Sequence, residues 1–182
     1  MQRIHQYEEQ SVQEKILSII PLEKIEKEAK ENLAKQEEAE KEKEKENQKN
    51  LTPNLSYKDF LVKSLLKWFK YNFFTWCNQP KCQSCDTVAE KYIRQDPPSL
   101  EESKFLASRV EVYQCPTCQK EIRFARYNDP RKLCETKTGR CGEWANLFGA
   151  ILRSLNFDVR FVDNFEDHVW NEYYSENLKK WV

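Results

Sequence analysis

The chain has 182 residues, with 30 lysines and arginines against 30 aspartates and glutamates, and 39% of its residues are hydrophobic. This length allows one or at most two domains, and the balanced charge argues against a strongly basic nucleic-acid-binding surface. No stretch approaches the roughly 18 apolar residues of a membrane span. Because the polar first ten residues do not resemble a signal peptide, we expect a cytoplasmic protein, or one that is also nuclear, with reduced cysteines.

The first 50 residues differ in composition from the rest. They hold 10 basic and 13 acidic side chains, no glycine and one aromatic residue, so residues 1–50 are predicted to be a charged helical or disordered segment and residues 51–182 the globular core. One interpretation is a solvated helix that packs on nothing. The other is a helix whose sparse apolar side chains contact a partner, namely Leu22, Ile25, Ala29 and Leu33.

Hydrophobic periodicity predicts the first elements of the globular core. Apolar residues at helical spacing predict an amphipathic helix over residues 56–76. The region between Cys85 and Cys115 is predicted to contain little regular structure, apart from a strand at residues 110–113.

A second amphipathic helix is predicted to begin within residues 139–142, and two strands are predicted at residues 159–163 and 168–174. A third strand signal begins at Lys180 and reaches the end of the sequence. We therefore expect the natural protein to continue past Val182.

Two Cys-x-x-Cys pairs stand 29 residues apart, Cys82 with Cys85 and Cys115 with Cys118. Each pair has the spacing that lets a tight turn present two thiolates to one tetrahedral ion. The pattern predicts one structural Zn²⁺ per chain, bound by all four sulfurs. A redox dithiol and a nucleic-acid-binding zinc ribbon are the competing interpretations, but the neighbouring sequence has neither a thioredoxin-like pattern nor a basic patch.

Cys141 differs from the other cysteines because it lies between Gly139 and Gly142 at the start of a predicted helix. A helix N-terminus favours a thiolate, and the neighbouring glycines are expected to let the backbone turn sharply and to leave the sulfur uncrowded. Cys141 is therefore predicted to be a nucleophile. Cys77 and Cys134 are expected to be buried and structural. His168 lies 27 residues after Cys141 at the start of a predicted strand, where it is a candidate base for this thiol.

Five motifs then occur in an informative order: residues 73–80 (FFTWCNQP), the two cysteine pairs, residues 126–130 (RYNDP), residues 139–146 (GRCGEWAN) and residues 167–172 (DHVWNE). Together they resemble the core of the cytosolic peptide:N-glycanases, members of the transglutaminase-like superfamily. The resemblance covers about residues 57–182. It implies an α+β fold with a transglutaminase-like, papain-like cysteine core, a zinc ribbon inserted within residues 77–120 and an N-terminal charged helix.

The resemblance also implies an activity and roles for individual residues. The expected enzyme is an amidase that releases N-glycans from misfolded glycoproteins in ER-associated degradation, with Cys141 as nucleophile and His168 as base. Trp76 matches a tryptophan expected to help hold the oxyanion. Trp170 and Glu172 are expected to face the cleft and are candidate substrate contacts, with core packing the favoured role for Trp170. Denatured N-glycoproteins, and a proteasome shuttle factor or the ER-degradation machinery, are the expected partners.

One departure from the family concerns the third catalytic residue. The resemblance places an Asp in a His-Val-Asp segment directly after the residues that match Trp181 and Val182, beyond the last residue of this sequence. An impaired enzyme is therefore expected. A scaffold that binds glycoproteins or degradation factors without turnover is the alternative function, and a zinc-ribbon nucleic-acid module is a third.

Overall fold

The computed structural model describes residues 2–45 and 53–182. The helices in these ranges are α1 (Gln2–His5), α2 (Gln10–Leu17), α3 (Leu22–Lys45), α4 (Tyr57–Trp68), α5 (Leu100–Lys104), α6 (Pro130–Thr136) and α7 (Cys141–Ser154). The strands are β1 (Thr75–Trp76), β2 (Lys91–Asp96), β3 (Val110–Gln114), β4 (Glu121–Ala125), β5 (Thr138–Gly139), β6 (Val159–Asp163), β7 (Val169–Ser175) and β8 (Lys180–Trp181). The predicted α+β class is confirmed.

Helix α7 lies at the centre of the main hydrophobic core. Leu147 and Ile151 are completely enclosed, because α7 contacts α2, α6 and the sheet at once. That sheet has the order β6-β7-β8 with antiparallel neighbours, and Val159 pairs with Tyr173 in its register. The predicted second helix and the two strands after it are confirmed as α7, β6 and β7. Burial in α7 extends beyond one face, because all of residues 145–152 are buried.

The N-terminal segment packs into this same core. Tyr7, Val12 and Ile16 are buried there, and the Tyr7 hydroxyl donates a 2.8 Å hydrogen bond to Asn146 of α7. The prediction that residues 51–182 alone form the globular core is therefore wrong. The interpretation of residues 22–50 as a charged tether that packs on nothing is also wrong for the described part of α3, where Ile25 and Ala29 are buried. The predicted boundary between residues 50 and 51 lies outside the described residues.

Helix α3 uses its few apolar side chains within the chain itself. Ile25 and Ala29 are buried in the main core, where α3 packs along α4. A salt bridge of 2.6 Å between Lys67 and Glu28 spans the same two helices. Two of the four apolar residues assigned to a partner-facing surface thus contact α4, and they are not available to another protein.

The predicted helix over residues 56–76 ends earlier than expected. A capping box of Ser56 and Asp59 starts α4 as the sequence indicates, but a π-helical turn, Phe69–Phe73, follows Trp68. This turn closes with a hydrogen bond of 2.8 Å from the Phe74 N–H to the Phe69 carbonyl. The chain then becomes extended, so Trp76 lies on strand β1 and not on a helix.

Residues 77–125, here called the four-cysteine region, contain more regular structure than predicted. Strands β2, β3 and β4 form an antiparallel sheet in this order. β3 is the strand foreseen at residues 110–113, and it is buried along most of its length. Strand β2 is exposed along most of its length, and Arg94 of β2 bonds to Glu121 of β4 at 2.7 Å across the sheet surface. The residues of β2 show no clear alternation of hydrophobicity. Strand β4 does alternate, with Ile122 and Phe124 less exposed than Glu121 and Arg123.

Candidate active site

A cleft of about 560 Å³ lies between the start of α7 and the start of β7. Cys141 and Trp144 of α7, Trp76 of β1 and Trp170 of β7 all line it, together with Lys70 from the π-helical turn. The walls are mainly aromatic. The structure therefore brings three of the predicted site residues, Cys141, Trp76 and Trp170, to one cavity.

Strand β1 reaches this cleft because it pairs in parallel with β5, directly before α7. Trp76 is opposite Gly139 in the register, and the Cys77 N–H donates a 2.9 Å hydrogen bond to the Gly139 carbonyl. Since Cys141 follows two residues later, this pairing sets Trp76 beside the first turn of α7.

Cys141 is the first residue of α7, and its side chain is exposed. A Cβ added to Gly142 would meet no atom within 4 Å, so the space beside the thiol is open. A Cβ on Gly139 would lie 2.4 Å from the Cβ of Glu143, which excludes a larger residue there. Neither glycine has a positive φ. The role assigned to them in making a sharp turn is therefore wrong, and close packing of Glu143 is the physical reason for Gly139.

His168 precedes β7 by one residue, and its side chain is exposed. Its Nδ1 lies 2.9 Å from the Glu166 carbonyl oxygen. Because a carbonyl only accepts, Nδ1 carries the proton in this contact and Nε2 is left as a base. The next two residues, Val169 and Trp170, line the cleft, whereas His168 is not among the described residues that line it.

The two candidate substrate contacts on β7 have different surroundings. The Trp170 indole N–H donates a 3.0 Å hydrogen bond to Glu172, and Arg160 of β6 also donates to this carboxylate. These bonds lower the pKa of Glu172 below its ordinary value, the bond from Trp170 contributing most. Glu172 is not among the described residues that line the cleft. Its observed contacts orient Trp170, which does line the wall.

Two tryptophans offer N–H donors near Cys141. The Trp76 indole N–H is engaged with the Asn78 side-chain oxygen at 2.8 Å. The Trp144 indole N–H is buried and has no hydrogen-bond acceptor in the described part of the chain. From the sequence, Trp144 is part of the apolar face of α7, and helical periodicity alone gives no sign of its unpaired donor. Its position three residues after the nucleophile is the only available indication.

The four sulfurs of the two Cys-x-x-Cys pairs form one compact cluster. The Sγ atoms of Cys82, Cys85, Cys115 and Cys118 all lie within 4.8 Å of one another, with separations of 3.3 Å for Cys85–Cys115 and 3.6 Å for Cys82–Cys118. In a tetrahedral site with Zn–S bonds of about 2.3 Å the sulfurs stand roughly 3.8 Å apart. The donor set and its spacing thus fit a metal ion.

Matching turns hold each cysteine pair in place. The Asp86 N–H donates to the Cys82 carbonyl at 2.8 Å, and the Gln119 N–H donates to the Cys115 carbonyl at 3.1 Å. Asp86 and Gln119 both adopt left-handed backbone angles, with φ of 53° and 58°. Each turn therefore directs two thiols to the same side, which is the arrangement that two ligands of one ion require.

Cys77 and Cys134 are buried, in agreement with the structural role expected of them. Burial raises the pKa of both thiols, and for Cys134 it raises the pKa to about 12. A thiol with such a pKa is protonated at neutral pH and is a poor nucleophile. Outside the four-cysteine cluster, Cys141 is the exposed thiol of the chain.

Comparison with known proteins places this geometry in context. Residues 86–182 match the family model described as the transglutaminase-like superfamily. The chain is similar to proteins named peptide-N(4)-(N-acetyl-beta-glucosaminyl)asparagine amidase. It is 52% identical over 136 residues to that of Candida glabrata, a match covering 72% of this chain and 38% of the relative.

Two further relatives of the same name match nearly the whole chain. The protein of Yarrowia lipolytica is 41% identical over 177 residues, which cover 97% of this chain and 46% of the relative. The human protein is 38% identical over 182 residues, which cover 100% of this chain and 26% of the relative. The chain thus spans less than half the length of these relatives.

Proposed function

This chain belongs to the transglutaminase-like superfamily, and we propose that it is the nucleophile-bearing part of a peptide:N-glycanase. This amidase cleaves the bond between an Asn side chain and the first N-acetylglucosamine of an N-glycan. The position of Cys141 carries the proposal, because its exposed thiol begins α7 inside a cleft that Trp76 and Trp170 also line. The 52% identity with a relative named for this activity supports it.

The proposed reaction proceeds through a thioester. His168 removes the thiol proton of Cys141, and the sulfur attacks the carboxamide carbon of the glycosylated Asn. The C–N bond breaks, and His168 returns the proton to the departing glycosylamine nitrogen. Water, which gives a proton to His168, then attacks the thioester carbon. The C–S bond breaks, the sulfur takes the proton back, and the Asn has become Asp.

The developing oxyanion needs donors beside Cys141. Backbone N–H groups at the start of α7 supply one, and the indole N–H of Trp76 is the proposed second. In the structure this N–H is bonded to Asn78, so its proposed role requires that substrate replaces the Asn78 oxygen. Trp144 offers a buried N–H that needs no such exchange.

The proposal includes one structural Zn²⁺ held by Cys82, Cys85, Cys115 and Cys118 in an inserted zinc ribbon. The tight cluster of four sulfurs supports this assignment. A site closed by four thiolates leaves no position for water or substrate, so the ion supplies folding energy and no catalytic chemistry.

The proposed substrates are denatured, misfolded N-glycoproteins in ER-associated degradation. A proteasome shuttle factor or the ER-degradation machinery is the proposed partner, and the cytoplasm, with or without the nucleus, is the proposed location. All seven cysteines are free thiols in the structure, which agrees with a reducing compartment. No helix in the described ranges has the length and apolar character needed to cross a membrane.

A scaffold without turnover is the second candidate, because His168 stands outside the cleft lining and the Trp76 donor is occupied. Release of glycan from a denatured glycoprotein separates the two candidates. We expect little release by the 182-residue chain and restoration by orders of magnitude when the His-Val-Asp segment of the family is added. The same extension with Ala for Asp is expected to be slower by up to about ten-thousand-fold, as in a serine-protease triad.

Two cysteine variants of the extended chain complete this experiment. Cys141→Ala is expected to abolish release, whereas Cys134→Ala, which changes a buried thiol outside the cleft, retains it below the melting temperature. Persistent activity in Cys141→Ala would contradict the nucleophile assignment. Binding of the glycoprotein by every extended chain without any release would favour the scaffold.

A further inference from the structure

Four charged side chains form a closed ring at the start of α7, in which Glu111, Arg126 and Glu143 are buried and Arg140 is partly exposed. Arg126 donates to both carboxylate oxygens of Glu143, at 2.6 and 2.8 Å, and to Glu111 at 3.0 Å. Arg140 donates to the two oxygens of Glu111 at 3.2 and 2.8 Å. The Glu143 carboxylate also accepts the backbone N–H of Arg140 at 2.9 Å, so the ring closes through the residue that precedes the nucleophile.

The Arg140 guanidinium also binds the segment that carries Trp76. It donates to the carbonyls of Cys77 and Asn78 at 3.0 and 3.1 Å, and to the Tyr113 hydroxyl at 2.9 Å. Cys77 and Asn78 directly follow Trp76, and Tyr113 lies on β3. One side chain thus connects the start of α7, the end of β1 and the sheet of the four-cysteine region.

The ring is electrically balanced, with two arginines and two glutamates, and this balance explains why it tolerates burial. Arg126 and the two glutamates are each less than 9% exposed. Burial alone would raise the pKa of Glu111, but hydrogen bonds from Tyr113, Arg126 and Arg140 outweigh it and hold that pKa below its ordinary value. The lowered pKa favours the ionised form of Glu111, to which both arginines donate hydrogen bonds.

We propose that Arg140 is a positioning residue that holds the first turn of α7, with Cys141, in a fixed relation to the Trp76 segment. Its planar guanidinium makes bonds in several directions, which a lysine ammonium cannot reproduce. The catalytic meaning of this geometry rests on the proposed function, whereas its effect on the Cys141 thiol does not. When the guanidinium is lost, the first turn of α7 frays, and the helix terminus stabilises the thiolate less.

The test measures the alkylation rate of Cys141 by iodoacetamide from pH 6 to pH 10 in the full 182-residue chain, with mass spectrometry of the modified peptide. Arg140→Lys keeps the positive charge and removes the planar guanidinium with its several N–H donors. We expect the pH midpoint of alkylation to rise by about half a unit and the rate at pH 7 to fall about threefold, as expected when a helix terminus no longer favours an anion.

Arg123→Lys is the matched control. Arg123 lies on β4 of the same sheet and donates to Glu102 and Asp96 at 2.8 and 3.1 Å, but none of its described bonds reaches α7. We expect its alkylation profile to equal that of the unchanged chain. An equal shift in both variants, or no shift in a folded Arg140→Lys chain, would overturn the proposal.

A milder variant guards against the case in which Arg140→Lys does not fold. Tyr113→Phe removes only the hydroxyl that bonds to Glu111 and Arg140, and it keeps the packing of the aromatic side chain. Its midpoint is expected to move in the same direction by a smaller amount, and an unchanged midpoint overturns the proposal. If the extended chain releases no glycan but these midpoints shift, the proposed function fails and the positioning role stands.

Discussion

The four-cysteine region and the helical core around α7 are held together by different forces. Nineteen buried hydrophobic residues pack together around α7, whereas the cluster within the four-cysteine region contains only Cys77, Ala89, Tyr113 and Phe124 in the described chain. Burial of apolar surface is the dominant favourable term in folding. By this measure the core around α7 supports itself, and the four-cysteine region does not.

Ion pairs on the surface of the four-cysteine region do not compensate for its small amount of buried apolar surface. Arg94 bonds to Asp96 and Glu121, and Arg123 bonds to Glu102. The two arginine side chains are 44% and 41% exposed, and salt bridges of such surface side chains contribute about 0–1 kcal/mol. We infer from this comparison that the metal ion proposed for the four-cysteine cluster supplies most of the stability on one side of the ring, while apolar packing supplies it on the other.

The largest expected effect comes from removing one metal ligand, Cys118→Ser. We expect the zinc content to fall from one per chain to near zero, because folding of such sites depends on metal binding. The apparent free energy of zinc binding in such sites is roughly 10–16 kcal/mol. Hydrogen exchange should then show loss of protection in β2–β4 and continued protection in α7. Elemental analysis and exchange mass spectrometry make the two measurements.

Cys141→Ser is the control, since it changes an exposed cysteine outside the cluster. It should retain one zinc and full protection of β2–β4. A folded, carefully prepared parent chain without metal would contradict the assignment of the cluster.

The reverse experiment weakens the core around α7. Phe69 is completely buried and its ring packs against Phe74, Trp144 and Phe148 at centroid distances of 5.1 to 5.3 Å. Phe69→Ala should lower the free energy of unfolding by about 3–5 kcal/mol, the usual cost of deleting a buried aromatic side chain. Urea denaturation followed by circular dichroism measures it.

Tyr71→Ala, two residues away in the same π-helical turn, provides the comparison. Tyr71 is 71% exposed, so its replacement should change stability by less than about 0.5 kcal/mol. Both variants should retain one zinc. Loss of the metal in Phe69→Ala would show that the two regions fold as a single unit and that the contrast between them is wrong.

The same contrast explains what the sequence could predict. Helix α7 was predictable because its apolar residues recur at helical spacing, and strands β6 and β7 because runs rich in β-branched and aromatic residues follow it. Strand β2 was not predictable, because it is exposed along most of its length and its residues do not alternate. Strand β4 does alternate, with Ile122 and Phe124 less exposed than Glu121 and Arg123, and this signal was missed. The N-terminal segment was misjudged because its composition was averaged over residues 1–50. Residues 1–20 carry only five charged side chains, and Tyr7, Val12 and Ile16 within them are buried.

The candidate site was partly predictable from local chemistry. A cysteine at a helix start and two Cys-x-x-Cys pairs can be recognised by spacing, and the structure places Cys141 in a cleft and the four sulfurs together. The roles of His168 and Trp76 stay predictions. The ring of Glu111, Arg126, Arg140 and Glu143 was not foreseen, because it joins residues up to 32 positions apart whose charges individually look like surface residues.

The smallest effect concerns the pH dependence of the core around α7. Burial raises the pKa of Cys134 to about 12, whereas a thiol in an unfolded chain ionises near about 8.5. Above about pH 8.5 the unfolded state therefore loses a proton that the folded state keeps, so stability falls as the pH rises and continues to fall until about pH 12. The slope is about 1.4 kcal/mol per pH unit.

Cys134→Ala removes this titration at the cost of a small cavity. The gap in unfolding free energy between the parent chain and the variant should narrow by about 2 kcal/mol between pH 8.5 and pH 10, because only the parent loses stability through this thiol. Leu133→Val, a neighbouring buried position on α6 without a titratable group, should show a gap that is constant with pH. Parallel curves for Cys134→Ala would mean that the thiol ionises as readily in the folded chain as in the unfolded one. The core would then be open to water at α6, and the contrast with the four-cysteine region would be smaller than the packing indicates.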